Sequence, residues 1–213
     1  MVDVTENNNG TIARVVKLIE DEFFKEAIEV LHVFLQDNPD SIEGWYNLGY
    51  ALTENEEYDE AIKAYDEALA IDNGIFVLWF NKGTVLYEQR DFENAKECYE
   101  KALEIDPDDA EAWNNLGNCL SRLADGRAAI EAYTRAVALK PDYAEAFYNK
   151  ANAHFIEEED EKALAYAELA LELNPALAER IGQWINVSRN RLFSRRDQEE
   201  HEQRVRERSK QTD

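Results

Sequence analysis

Four asparagines, Asn47, Asn81, Asn115 and Asn149, stand at intervals of 34 residues. A primary amide offers one acceptor and two donors, so a row of amides can hydrogen-bond the backbone of another chain whatever its side chains are. The same amides can instead bond the backbone of their own helices, and the spacing leaves both uses open. Rings sit beside them. Tyr46, Phe80 and Tyr148 directly precede three of the asparagines, and Asn114 precedes the fourth. Three residues after each asparagine come Tyr50, Thr84, Asn118 and Asn152, which share its helical face. Aromatic side chains there supply apolar contact area and selectivity. This chemistry is recognition rather than bond making.

The groups that make and break bonds do not converge. His32, His154 and His201 lie in three separate parts of the chain. No pair of His or Cys has the spacing of a structural zinc site, and no glycine-rich phosphate loop appears. His154 falls where other repeats carry Leu52, Leu86 and Leu120, which reads as a packed side chain. Cys98 and Cys119 occupy different positions of the period and read as small, partly buried residues of a reducing compartment. The sequence therefore points to no enzyme, no cofactor and no metal, and to a cytoplasmic setting.

The elements that must carry the asparagines follow from the same period. Trp45, Trp79, Trp113 and Phe147 each precede a small residue by four: Gly49, Gly83, Gly117 and Ala151. Alanines then recur as Ala61, Ala95, Ala129 and Ala163, and again as Ala68, Ala102, Ala136 and Ala170. Apolar residues three and four apart, such as Trp113, Leu116, Gly117 and Leu120, define one face of a helix. Ala129, Ile130, Tyr133, Ala136 and Val137 do the same for a second helix, and short turns such as Arg90-Asp91 join the pair. Small residues facing each other let two backbones approach, while the large aromatic fills the groove beside the next pair. Pro107, Pro141 and Pro175 stop the second helices; Asn73 stands in that place once. Asp108 and Asp142, next to two of the prolines, are placed to cap the helix that comes after them.

This pattern resembles the tetratricopeptide repeat family over about four fifths of the chain. The resemblance implies an all-α, right-handed superhelical solenoid of antiparallel helix pairs. Its units would span 8–41, 42–75, 76–109, 110–143 and 144–177. The first is a degenerate cap, with Thr11 and Val15 in place of the aromatic and the small residue, as expected for a terminal repeat. Residues 1–7 read as a flexible end with no secretory signal pattern.

In the resembled family, the first helices of successive units line a concave groove that binds a peptide or a helix of another protein. Carried onto this chain, the groove residues are Asn47, Asn81, Asn115 and Asn149, with Tyr46, Phe80, Tyr148, Tyr50, Asn118 and Asn152 beside them. Members that clamp acidic chaperone tails need basic residues that here are Tyr46, Phe80, Asn114 or Tyr148, and Glu43, Val77, Glu111 or Glu145. Glu43, Glu111 and Glu145 near the groove rim instead favour a basic or neutral ligand. Lys82 and Lys150 replace the inward Leu48 and Leu116 and are expected to lay their stems on the core with the charge at the surface.

The formal charge of −23 is uneven. Residues 178–213 hold nine Lys and Arg against seven Asp and Glu, a net of +2, which leaves −25 for the remainder. Such a surface repels phosphates and anionic lipids and steers basic partners, so neither nucleic acid nor membrane is an expected ligand, and no stretch is long and apolar enough to span a bilayer. Ile181, Trp184, Ile185, Ser188 and Leu192 form a helical stripe that assigns 178–193 to a capping helix over the last unit. Residues 194–213 are nearly all polar or charged and read as a tail or a helix extension. Docked into the acidic groove of a neighbouring chain, this segment would make homo-oligomers; docked on its own chain, it would compete with ligands.

Overall fold

The computed structural model describes residues 4–210; for 4–9, 205 and 208–210 only the backbone is described. Ends 1–3 and 211–213 of the N-terminal segment and the tail lie outside the described residues. The described residues form eleven α-helices and a short 3-10 turn, with no strand. Helices α1 (Val4–Glu20) to α6 (Phe92–Ile105) alternate as first and second members of pairs: α2 is Phe24–Asp37, α3 Ile42–Glu54, α4 Tyr58–Ile71 and α5 Phe76–Glu88. The later helices are α7 (Ala110–Arg122), α8 (Gly126–Leu139), α9 (Ala144–Ile156), α10 (Asp160–Leu173) and α11 (Ala178–Lys210), with the 3-10 turn at Pro175–Leu177. Helix α1 takes in part of the stretch that composition assigns to a flexible end.

The chain divides into two compact units, residues 1–119 and 120–213. In the first, each helix packs on the next from α1 to α6, and first helices also pack on one another, α1 on α3 and α3 on α5. Its core is built from the alanines and rings that the period marks, with Ala27, Ala61 and Ala68 at 0 % exposure and Tyr65 at 1 %. Gly49 shows why the small position is needed. A Cβ there would lie 2.7 Å from the Tyr65 ring, closer than packed carbon atoms approach. In the second unit α8, α9, α10 and α11 pack in sequence, and α11 also touches α9. Ala151, Ala163, Ala167 and Ala170 form its core, closed by Leu177, Ile181 and Trp184 from the C-terminal segment.

The turn inside each pair is the same device five times. Glu22, Glu56, Arg90, Ala124 and Glu158 all have φ between 58° and 65°, and they too are 34 residues apart. The next N–H in each case bonds back five residues, for example Glu57 to Leu52 O at 2.9 Å and Asp125 to Leu120 O at 2.9 Å. This is the left-handed helix stop that glycine usually makes. Here non-glycine residues make it, each at a cost of about 1 kcal/mol. The set includes Glu22, so the period reaches the degenerate first unit.

The second helices end at Ile71, Ile105, Leu139 and Leu173, the same place whether proline or Asn73 comes next. A side-chain turn shares the work with the ring: Asp72 accepts from Gly74 N at 2.8 Å, Asp106 from Asp108 N at 3.0 Å and Asn174 from Ala176 N at 3.1 Å. The capping expectation needs correction. Asp109, not Asp108, caps α7 by accepting from Ala112 N at 2.6 Å, and α9 has Tyr143 at its N-cap with no side-chain cap. The tryptophans do more than fill space. Trp45, Trp79 and Trp113 donate their indole N–H to the carbonyls of Pro39, Asn73 and Pro107 at 2.7–2.8 Å, tying each first helix to the turn before it.

Candidate protein-binding site

In the first unit the candidate residues lie on α3, α5 and the N-terminal part of α7. Glu43, Tyr46, Tyr50 and Glu54 of α3 are spaced three, four and four apart, so they share one helical face. Tyr50 is 36 % exposed and Tyr46 is half-buried against the core. Partial burial, with Glu54 and Tyr46 beside it, holds the Tyr50 phenol above its ordinary range. Tyr65 of α4 is raised further, first by its burial, with Tyr46, Tyr50 and Glu54 adding to it. These phenols and the Glu54 carboxylate thus stand within electrostatic reach of one another. On α5 the same positions are Val77, Phe80, Thr84 and Glu88. Val77 is 38 % exposed. Phe80 stacks on Phe76 at 5.6 Å between centroids and meets Tyr99 edge-on at 5.7 Å, and Thr84 shares a hydrogen bond with the Tyr99 hydroxyl at 3.1 Å. On α7 the corresponding residues include Glu111, exposed, and Asn118, half-buried.

The asparagines are not equivalent. Asn47 is 8 % exposed and donates its amide to Glu43 O, one turn back, at 2.7 Å. Of the two uses open to it, the structure shows the bond to its own helix. Asn81, Asn115, Asn149 and Asn152 are half-buried. Beside Asn115, Asn114 is buried at 3 % and donates to the Asn115 side chain at 3.4 Å.

In the second unit Glu145 and Tyr148 of α9 already hold a ligand from their own chain. Both guanidinium nitrogens of Arg180, on α11, bond the Glu145 carboxylate at 2.8 and 2.9 Å. The Arg180 carbon lies 4.0 Å from the centre of the Tyr148 ring. The bond to Glu145 raises the Arg180 pKa further. Further along α11, Trp184 stacks on Phe155 at 5.0 Å, and Arg191 lies over the same ring at 4.6 Å.

A residue the sequence reading passed over anchors this contact. Asp160, the first residue of α10, is 1 % exposed. It accepts from Ser188 Oγ at 2.6 Å and pairs with Arg191 at 2.7 Å and Arg195 at 3.2 Å. Three of the other four pairs carry Phe24, Tyr58 and Phe92 at this place, and the fourth carries Gly126. A carboxylate where three repeats have a ring, with arginines in the next helix, was the available signal. Lys150 also departs from expectation. It is 5 % exposed, and its ammonium stays inside, 4.0 Å from the Tyr166 ring centre. Lys82 does reach outward, to Asp66. His154 is 4 % exposed, stacks on Tyr166 at 5.3 Å and bonds Glu159 at 2.6 Å; burial pushes its pKa below the ordinary value despite that carboxylate. Burial likewise raises the Cys98 thiol to about 11 and Cys119 to about 12, which leaves both as packed thiols at neutral pH. No described helix is long and apolar enough to cross a membrane.

The comparisons with known proteins agree with this repeat frame. Tetratricopeptide repeat models match residues 42–74, 76–109, 98–130 and 144–177, and a further model of the same repeat matches 127–156. No curated protein matches the chain. Among solved structures, MamA (residues 41 to the end) from Desulfovibrio magneticus RS-1 is 21 % identical with a TM-score of 0.75, over 79 % of this chain and 96 % of that one. YrrB, described as a TPR protein with an unusual peptide-binding site, is 24 % identical with a TM-score of 0.72, over 81 % and 90 %. The pilF protein of Pseudomonas aeruginosa is 21 % identical with a TM-score of 0.69, over 88 % and 91 %. At such identities the likeness is one of fold. With the family matches running almost unbroken from 42 to 177, those at 42–74, 76–109 and 144–177 in the phase set by Trp45, Trp79 and Phe147, the chain belongs to the tetratricopeptide repeat family.

Proposed function

We propose that this protein is a non-enzymatic interaction scaffold that binds a basic or neutral segment of another protein on the first-helix face of α3, α5 and the start of α7. One observation carries the reading. The α3 and α5 faces combine partly exposed Tyr46, Tyr50, Val77 and Phe80 with Glu43, Glu54 and Glu88, and the only basic residue on either helix, Lys82, pairs away from that face with Asp66. The repeat family and the peptide binding named for YrrB support the same class of function. Asn81, Asn115 and Asn118 supply backbone hydrogen bonds and Glu111 adds to the acidic rim, while Asn47 serves the scaffold. Glu145, Tyr148, Asn149 and Asn152 belong to the equivalent face of α9, which is open to a ligand only where Arg180 leaves. Affinity for a short segment is about micromolar, roughly −8 kcal/mol.

The test is random-peptide display on the immobilised full chain, with a folded Tyr50→Ala, Val77→Ser variant alongside. Enriched peptides should carry a neutral or positive charge and be lost from the variant. Acidic enrichment, or equal retention by the variant, would overturn the reading. Self-association through α11 is a second reading, favoured by Phe193, which is 75 % exposed there; a monomer mass that does not change with concentration would remove it.

A further inference from the structure

Arg180 shows within this chain what a tyrosine and a glutamate one turn apart can hold. Glu145 and Tyr148 are three residues apart on α9, and between them they take one guanidinium: two parallel hydrogen bonds to the carboxylate and a face contact with the ring. That combination favours arginine over lysine, because a planar guanidinium can set two parallel N–H bonds on a carboxylate while its flat face lies on a ring, whereas an ammonium has one nitrogen and no face to stack.

The same pair recurs once among the other first helices. Glu43 and Tyr46 stand on α3 at the positions that Glu145 and Tyr148 hold on α9, three periods earlier. Helix α5 has Val77 and Phe80 there, a ring without a carboxylate, and α7 has Glu111 and Asn114, a carboxylate without a ring. The α3 pair is in one respect better furnished: Tyr50 and Glu54 continue its strip, where α9 continues with Asn152 and Ile156. The occupants differ. Glu43 is exposed, and among the described residues its carboxylate makes no ion pair. Its backbone carbonyl is engaged by Asn47, which fixes the turn that spaces the two side chains. One period after Gly44, the residue in phase with Arg180 is Leu78, fully buried, an apolar side chain with nothing to offer a carboxylate.

We infer that Glu43 and Tyr46 form an arginine seat, in which the guanidinium of an arginine from a partner protein pairs with the Glu43 carboxylate and lies on the Tyr46 ring, as Arg180 does on Glu145 and Tyr148. The inference rests on the proposed use of the α3 face and names the side chain it recognises. Tyr50 and Glu54, four and eight residues beyond Tyr46, extend the same strip and favour a second positive group on the partner.

The probe is N-acetyl-arginine methylamide, with the citrulline analogue as a neutral isostere, titrated into the full-length 15N-labelled chain and followed by amide chemical shifts. Wild type should show saturable shifts centred on residues 43–50, with a dissociation constant on the order of 1–10 mM, and the citrulline probe should give none. Glu43→Gln should weaken the arginine response at least about tenfold. Arg180→Ala supplies the control, since it vacates the α9 pair: a second set of shifts should then appear around residues 145–148. Shifts at the vacated α9 pair without shifts at α3 would overturn the inference, and so would a response at neither pair or one that citrulline reproduces. Peptide display reads the broader function separately: basic peptides that bind Glu43→Gln as tightly as wild type would leave that function standing and remove the seat.

Discussion

Helices α3 and α9 carry the same glutamate and tyrosine three periods apart, yet Glu43 of the first pair is exposed and both members of the second are clamped by Arg180. The difference lies in the element that comes next along the chain. After the α3–α4 pair comes another pair, whose first helix enters with buried Leu78 and adds its own ring, Phe80, to the exposed face. After the α9–α10 pair comes the long helix α11, the last element among the described residues. Helix α11 covers the last core with Ile181, Trp184 and Ser188, and fixes itself with charge: Arg180 on Glu145, Arg191 and Arg195 on Asp160. A helix pair without a following pair packed on it leaves an apolar face to be covered. Here α11 does so with the glutamate and tyrosine positions that, on α3, we propose for a partner.

The comparison can be broken most strongly at Asp160. Asp160→Ala leaves two guanidiniums without their shared carboxylate. Both retain some contact with water, so the cost should sit near the low end for a broken buried pair, about 3 kcal/mol. Denaturant melting should show that loss, and limited proteolysis should now cut within residues 178–196. Ala129→Phe tests whether the inner pairs depend on close approach as the period implies. Ala129 is fully buried, so overpacking should destabilise by about 1–3 kcal/mol; an unchanged melting temperature would contradict the pairing.

Ala124→Gly is a gain rather than a loss. Its φ of 62° suits glycine, and relief of that strain should add about 0.5–1 kcal/mol. Smallest is a pH effect confined to the second unit. His154 has a folded pKa below its unfolded value near 6.5, so its contribution is complete above that pH and declines as pH falls from there towards the folded pKa. Replacing it with the leucine of the other repeats should remove that slope. Glu159, whose pKa is lowered chiefly by Lys162 and then by His154, contributes a slope only below its own ordinary value of 4.5, so the two slopes separate.

The helix pairs were legible because the period is written in volume: a ring, a small residue and two alanines, at fixed spacing. The turns were legible in place, as at Arg90-Asp91, but not in conformation, because Glu22, Glu56, Arg90, Ala124 and Glu158 share one left-handed conformation with no glycine among them. The candidate face was legible in part. Helical spacing put Tyr46 and Tyr50 together, but it could not say that the Asn47 amide is used up within its own turn. Lys150 went inward because Tyr166 offers its ring face, and Glu145 and Tyr148 were covered because α11 brings Arg180 from 35 residues away in sequence. Lys150, Glu145 and Tyr148 each meet a long-range partner that a repeat pattern does not encode.

On the function proposed, partners bind where the first-helix face is open and not where α11 covers it. Hydrogen exchange of the full-length chain, with and without the best arginine-containing peptide from display, tests it directly. The account predicts slowed exchange in α3 and α5, with α9 and α11 unchanged. Protection concentrated in α9, with faster exchange in α11 as Arg180 is displaced, would contradict it.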